Sequence, residues 1–408
     1  MGESARADAR RAGGCAARIV KHLLVTQDFL PDLGGMARRH VELVRRYPEP
    51  MSVSTVAAPD AARYDAAEEY AIERQPFTFA RANRFSNQAR WARGLVKRCR
   101  DRIQVLHCGN IRPVGYAVWW AHKRLRIPYV VYVNGGDLLR ERVKARKSAL
   151  KRRTARLILG DAAGIVATSA WCADLAREVM REVGITSPPP VAALDLGTDP
   201  VRFRPGNDTG TLRLRWGIRR APIVVTVARL VPHKGQDIGI RALARLRDEF
   251  PTLRYVLVGE GHDEARLRNL AAELDVMDRV GFAGPMRDDE LPEAYATSTV
   301  YLGASRIDNE VNAEGFGISF IEASACALPI VAGDSGGVRS AVRDGETGFV
   351  VNPTDVDAVA EALATLLRDV SLRDQMGVAG RRAVETHYNW QRVADDTARF
   401  VRECVSHD

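Results

Sequence analysis

Four charged side chains carry the chemistry most easily read from this chain. Glu314 and Glu322 stand eight positions apart in Glu314-Gly315-Phe316-Gly317-Ile318-Ser319-Phe320-Ile321-Glu322, and Arg229 and Lys234 lie upstream in Val227-Ala228-Arg229-Leu230-Val231-Pro232-His233-Lys234-Gly235. The set suits a sugar joined to a nucleoside through a diphosphate. Glycines 315 and 317 free the backbone at an expected loop-to-helix junction, where amide N–H groups and the positive end of a helix dipole can face phosphate. Arg229 and Lys234 would neutralise it further. With a helix starting near Gly315, eight residues at about 1.5 Å each put the two acids roughly 12 Å apart, broadly on one side. A glycosidase is disfavoured, because its paired carboxyls flank one bond at about 5 to 9.5 Å.

Such a site needs rigid elements behind it. Short β-rich runs alternate with helical patterns along all 408 residues, and 46% hydrophobic content allows two sizeable cores. Strands are expected at 22–26, 51–57, 105–107, 129–133, 164–168 and 191–194, and again at 223–228, 255–259, 280–283, 299–303, 330–332 and 348–351. Continuous apolar strands between helices imply parallel sheets covered on both faces, hence two doubly wound α/β domains. Prolines 188, 189, 190, 200 and 205 with Gly206 and Gly210 mark the junction. A ligand site then belongs in the cleft at the carboxyl ends of the strands. The segment 389–405 has helical spacing and reads as a last helix packing back on the first domain or, second to that, as a terminal helix of the second.

Composition narrows the partners. Residues 1–200 hold 34 Lys/Arg against 20 Asp/Glu, net +14, whereas 201–408 hold 26 against 31, net −5. The basic excess peaks between Arg140 and Arg156, where Leu138, Leu139, Val143, Leu150, Leu157 and Ile158 are interspersed. That stretch reads either as one loosely amphipathic helix lying on an anionic bilayer or as a solvated face. Nucleic acid is disfavoured, since no recognition motif accompanies the charge. Six scattered cysteines without a Cys-x-x-Cys pair read as reduced thiols in a cytoplasmic enzyme, and no run of 18 apolar residues is present, so membrane contact is expected to be peripheral. Residues 1–18 lack the apolar core of a secretory signal and read as a tail.

Taken in order, Phe29-Leu30-Pro31-Asp32-Leu33-Gly34-Gly35, Leu196-Gly197-Thr198-Asp199, Phe203-Arg204-Pro205, the Arg229/Lys234 segment, Val258-Gly259-Glu260-Gly261, the Glu314/Glu322 pair and Ser335-Gly336-Gly337 resemble the retaining glycosyltransferases of GT-B fold, family 4. Val311-Asn312-Ala313-Glu314 and Ala332-Gly333-Asp334-Ser335 are most similar to bacterial phosphatidylinositol mannosyltransferases that use GDP-mannose. The resemblance implies an acceptor-side domain over 19–199, a nucleotide-sugar domain over 200–388 and a crossover helix over 389–408. It implies that Glu314 and the amides of Gly315, Phe316, Gly317 and Ile318 hold the hexose and diphosphate. Arg229 and Lys234 would take the phosphates, Glu322 the ribose and the backbone near Met286 the base, while Gly34 and Gly35 let the first domain approach. The partners implied are a nucleotide-sugar donor, as co-substrate rather than cofactor, and a glycolipid or saccharide acceptor. No divalent metal is required, since fixed cations and amide dipoles meet the departing charge.

The chain departs from the family at Asn134, where a histidine before glycine is usual; asparagine still hydrogen-bonds a sugar hydroxyl but does not titrate. A second departure is Arg339, where many relatives carry glutamate. Asp355-Val356-Asp357 mimics a metal-binding string but reads as helix-start acids. Gly333-Asp334-Ser335-Gly336-Gly337 mimics a hydrolase turn yet has no recognisable histidine and acid partners. Gly259-Glu260-Gly261 lacks the third glycine of a dinucleotide fingerprint. His233 reads as an exposed loop histidine ahead of a site residue, and Trp119, Trp120 and Tyr116 as helix packing ahead of an acceptor-lipid surface. The remaining functional classes are a nucleotide-sugar epimerase on the same fold and a silent binding protein for membrane or polysaccharide.

Overall fold

The computed structural model describes residues 21–31, 34–78, 84–100, 102–218 and 220–406. The expected tail therefore lies outside the described residues, as do Asp32 and Leu33 of the first motif.

Two parallel sheets form. The first contains β1 (His22–Val25), β2 (Met51–Val56), β3 (Ile72–Gln75), β4 (Val105–Cys108), β5 (Tyr129–Val133), β6 (Gly164–Ala167) and β7 (Val191–Ala193), in the order 3-2-1-4-5-6-7. The second contains β8 (Ile223–Val227), β9 (Arg254–Val258), β10 (Val280–Gly284), β11 (Val300–Gly303), β12 (Ile330–Gly333) and β13 (Gly348–Val351), in the order 10-9-8-11-12-13. Runs such as Tyr-Val-Val-Tyr-Val in β5 are buried along their whole length, as a sheet covered on both faces requires. Each strand order reverses beside its first strand, between β1 and β4 and between β8 and β11, and opens a crevice at the carboxyl ends there.

Each of the expected strands forms, with ends that coincide or move by one residue. One strand was not expected. β3, Ile-Glu-Arg-Gln, lies at the sheet edge with only Gln75 fully buried, so it has no apolar run to betray it. Glu73 ties it to Arg98 and Arg74 ties it to Asp65 at 2.7 Å.

The helix Trp390–Val405 crosses back to the first sheet. Its Ala394, Ala398 and Val401 share one buried cluster with Leu24, Val41, Val44 and Val166. Asn389 caps it, accepting from the Arg392 amide at 2.9 Å, and bridges Thr198 in parallel. No helix among the described residues is long and apolar enough to cross a membrane.

The basic stretch is not one helix. It divides at Ser148 into the helices Gly135–Lys147 and Ala149–Gly160, because Ser148 is extended and its hydroxyl caps the second by accepting from the Lys151 amide. Leu138, Leu139 and Ile158 point into the core, and Arg142 and Arg146 pair with Glu178 and Glu182. Lys147, Arg152, Arg153 and Arg156 stay exposed beside Leu150, which is 67% exposed. Trp119 and Tyr116 do pack, but Trp120 is exposed and lies against Arg124.

Candidate active site

The loops after β1, β5, β8 and β11 meet across a cleft of about 480 Å³. Gly34, Gly35 and Asn134 line it from the first domain, and Arg229, Lys234, Glu314, Gly315, Phe316, Gly317 and Ile318 from the second. The sheets touch at its floor. Thr168 Oγ1 and Cys172 Sγ donate to the Gly315 carbonyl at 3.4 and 3.3 Å, and Gly35 faces the Ile318 side chain closely enough that a Cβ would lie 3.6 Å from it.

Lys234 and Glu314 are brought together by the turn after β8 and the loop before the helix Ile318–Ala325. Lys234 Nζ donates to Glu314 Oε2 at 2.5 Å, with side chains only 19% and 14% exposed. Burial alone would raise the Glu314 carboxyl, but the Lys234 ammonium and its hydrogen bond outweigh that and hold it below the usual carboxylate range. Arg229 stands exposed on the cleft wall, its backbone carbonyl held by Gln236 Nε2 at 2.9 Å.

The helix begins at Ile318, three residues later than the sequence suggests, because Gly317 at φ +93 turns the chain into it. No side chain caps this end, so its first amides are left toward the cleft. The loop is pinned from behind by the Gly337 amide, which donates to the Glu314 carbonyl at 2.8 Å. A Cβ on Gly337 would fall 2.0 Å from the Gly315 carbonyl oxygen, so only glycine permits this approach.

The later helix start separates the two acids. Glu314 precedes the helix and faces the cleft, whereas Glu322 is buried on it, accepts from Tyr295 Oη at 2.7 Å and stands 4.0 Å from Arg38 Nη1. Arg38 also contacts Asp288, which in turn binds Arg202 at 2.6 Å. This ion cluster joins the first domain to the second. Met286, two residues before Asp288, is half-buried against the second core and is not among the cleft residues. Sequence reasoning missed Arg38, Asp288, Thr168 and Cys172, since contacts over such separations leave no local spacing signal.

Asn134 caps the helix Gly135–Lys147. Its Oδ1 accepts from the Asp137 amide at 2.9 Å and its Nδ2 donates to the Asp137 carboxylate at 2.9 Å. His233 is not an exposed loop residue: it lines the cleft half-buried, and burial, with Lys234 and Arg229 adding, pushes it below its ordinary value. Asp355 accepts from the Ala358 amide at 3.0 Å as a helix cap. Asp334 pairs with Arg339, and buried Ser335 has no side-chain partner among the described residues.

Comparison with known proteins agrees with this architecture. Residues 33–185 match the family model Glycosyltransferase Family 4, and residues 212–383 match Glycosyl transferases group 1. The chain is 41% identical over 207 residues to a GDP-mannose-dependent alpha-(1-6)-phosphatidylinositol monomannoside mannosyltransferase of Mycolicibacterium smegmatis, a match covering 50% of this chain and 54% of that one. The chain thus spans about half the length of the first curated relatives it matches. It is 28% identical over 94% of its length, and 98% of the relative's, to a GDP-mannose-dependent monoacylated alpha-(1-6)-phosphatidylinositol monomannoside mannosyltransferase of Corynebacterium glutamicum. Among solved structures, sucrose-phosphate synthase from Thermosynechococcus elongatus superposes with TM-score 0.76 at 21% identity, covering 95% of this chain and 100% of that one. HepE of Anabaena superposes with TM-score 0.74 at 20% identity, covering 94% and 99%. With two family models occupying its two domains in succession and this fold throughout, the chain belongs to the group 1 and family 4 glycosyltransferases of GT-B fold.

Proposed function

We propose that this protein is a retaining, metal-independent glycosyltransferase that moves a hexose, mannose from GDP-mannose in the first instance, onto a lipid-linked or saccharide acceptor. The observation that carries the reading is the buried Lys234–Glu314 pair beside Arg229 and an uncapped helix start in one cleft. As the glycosidic bond to the diphosphate breaks, negative charge grows on the leaving phosphates and positive charge on the sugar ring. Arg229, Lys234 and the amides of Gly317 and Ile318 are assigned to the phosphates, and Glu314 to the hexose. Glu322 and the backbone near Met286 are assigned to ribose and base; for Glu322 this requires Arg38 to share or yield its carboxylate. Gly34 and Gly35 let the first domain's loop approach donor and acceptor, and Asn134 is assigned to a hydroxyl of the donor sugar.

Mannose rests on the curated relatives, both named as GDP-mannose-dependent. A UDP-sugar donor is the second reading, since the HepE structure holds UDP and glucose. A thermal-shift panel of GDP-mannose, UDP-glucose and free nucleotides, followed by transfer assays with and without chelator, decides between them. Selective stabilisation by GDP and GDP-mannose supports mannose; a UDP-selective shift keeps the transferase and discards mannose. Isomerisation without an acceptor would make it an epimerase, and no shift with no turnover a binding protein.

The same proposal places the protein at the cytoplasmic face of a membrane, docked through exposed Lys147, Leu150, Arg152, Arg153 and Arg156. Each close cation adds about 1 kcal/mol on an anionic surface. Flotation with anionic vesicles should fail at high salt or after neutralising these residues; binding indifferent to both would return the face to solvent.

A further inference from the structure

The amino ends of the first sheet, away from the cleft at its carboxyl ends, hold another cavity. It measures about 520 Å³ where β1 and β2 begin and is lined by His22, Tyr47, Glu49, Ser52 and Tyr70, none of which lines the cleft. That volume lies within the roughly 300 to 1,000 Å³ of sites that enclose a small molecule. Two polar atoms of its lining are orphaned. Tyr47 Oη and Glu49 Oε2 are buried with no hydrogen-bond partner among the described residues, and Tyr47 is only 8% exposed. A buried phenol and a buried carboxylate oxygen left in this state cost stability until something pairs with them.

Both groups are held in place by their neighbours. Tyr47 ends the helix Gly35–Arg46 in extended backbone, and its ring packs against the imidazoles of His22 and His107, with centroids 4.9 and 5.3 Å away. Those imidazoles are themselves joined at 2.9 Å. Pro48 and Pro50 flank Glu49 and restrict its backbone, and Arg402 of the crossing helix donates to Glu49 Oε1 at 2.8 Å, leaving Oε2 for another donor. Burial, with Tyr132 and Glu49 adding, raises the Tyr47 phenol against the pull of Arg402, so it keeps a proton to donate. Burial, then Arg402, lowers His22 to about 4, so that wall is neutral at pH 7. The formal charges of the lining cancel as well, Lys21 and Arg45 against Glu49 and Glu69.

A single group that accepts from a phenol and donates to a carboxylate satisfies both orphans, and a hydroxyl is such a group. Water does the same but fills only about 30 Å³ of this space. The balanced lining disfavours a phosphate or an ammonium, while Pro48 and the Tyr70 ring add apolar surface beside the polar pair. We propose that this cavity is a saccharide-binding site separate from the cleft, in which a hydroxyl of a neutral sugar ring bridges Tyr47 Oη and Glu49 Oε2. The site stands apart from the transfer reading, since no residue of the cleft takes part in it.

The test is ligand-observed NMR titration of the full chain with methyl α-mannoside, methyl α-glucoside and methyl β-galactoside, with choline and inorganic phosphate as charged comparators. At least one glycoside is expected to bind. Tyr47→Phe, which removes only the orphaned hydroxyl, should weaken that glycoside at least tenfold while the melting temperature stays or rises, and Glu49→Gln should weaken it as well. No binding by any of the three glycosides means that water alone meets the two orphans and overturns the proposal. Equal binding in Tyr47→Phe places the sugar elsewhere and overturns it too. Choline or phosphate binding that is lost in Tyr47→Phe, in place of glycoside binding, gives the cavity to a charged ligand and ends the saccharide assignment. Thermal stabilisation by nucleoside diphosphate should be the same in the wild type and Tyr47→Phe; its absence from both would count against the transfer reading and leave this site standing.

Discussion

On the second domain's side of the cleft the protein fixes charge itself: Lys234 and Glu314 hold each other at 2.5 Å, and Gly337 pins the loop that carries Glu314. On the first domain's side Gly34, Gly35 and Gly136 leave space beside Met36, Arg140 and Thr168, and the asparagine's amide is already engaged with Asp137. The contrast separates two tasks. On the proposed reading, stabilising a departing diphosphate requires fixed charge at fixed distance, which the densely bonded second-domain half supplies. Receiving an acceptor requires approach and shape, which the glycines of the first-domain half leave open.

The sharpest way to break this comparison is Lys234→Ala. It strands Glu314 in a buried position and, on the proposed reading, removes a donor to the phosphates. Turnover should fall by about a hundredfold or more, near 2.7 kcal/mol, and Arg229→Ala should fall in the same range. Near-normal steady-state rates in either variant would remove the phosphate assignment. Next in size is Gly317→Ala, which forces a side chain onto φ +93 with its Cβ 2.4 Å from the Phe320 ring. A loss of about 1 to 3 kcal/mol in denaturant unfolding is expected.

These second-domain features were largely legible beforehand, because the turn after β8 and the loop before residue 318 are each continuous segments whose residue types state their task. The helix start was not, since two nearby glycines offered alternative entry points and only the backbone turn at Gly317 decides between them. The status of His233 was also missed: nothing in Pro232-His233-Lys234 says that it will line the cleft half-buried near Glu314 and Asp308. The division of the basic stretch at Ser148 was within reach, as serine is a preferred helix cap, but the run of charge on both sides masked it. The Arg38 cluster depends on how two domains meet, which no local pattern encodes.

On the acceptor side the expected effects are smaller. Asn134→Ala should cost about 1 kcal/mol of stability through the lost cap and slow transfer less than tenfold, because its amide groups already serve Asp137. A rate loss matching that of Lys234→Ala would make the two sides equivalent and end the contrast. Arg38→Ala tests the seam between them. The Arg38 side chain is 13% exposed and that of Glu322 8%, so losing Arg38 leaves a buried carboxylate short of a partner and about 1 to 3 kcal/mol is expected. A larger radius of gyration by small-angle scattering would show the cleft opening, and an unchanged radius would mean that the floor contacts at Gly315 and the crossing helix suffice to hold the domains.

The smallest effect gives the most local reading. Burial, then Lys234 and Arg229, depress the His233 pKa from its ordinary 6.5, so the imidazole is neutral at pH 7. The unfolded chain binds that proton more readily, so this residue lowers stability as pH falls through 6.5 toward the depressed value. A diphosphate resting on Lys234 and Arg229 would offset both cations, and the midpoint should move upward when nucleotide binds. Imidazole proton shifts followed by NMR with and without nucleoside diphosphate measure that displacement directly. An upward shift places the phosphates beside Lys234 on the second domain's side; an unmoved midpoint, with binding confirmed independently, would place them elsewhere and leave the Lys234–Glu314 pair a structural tie.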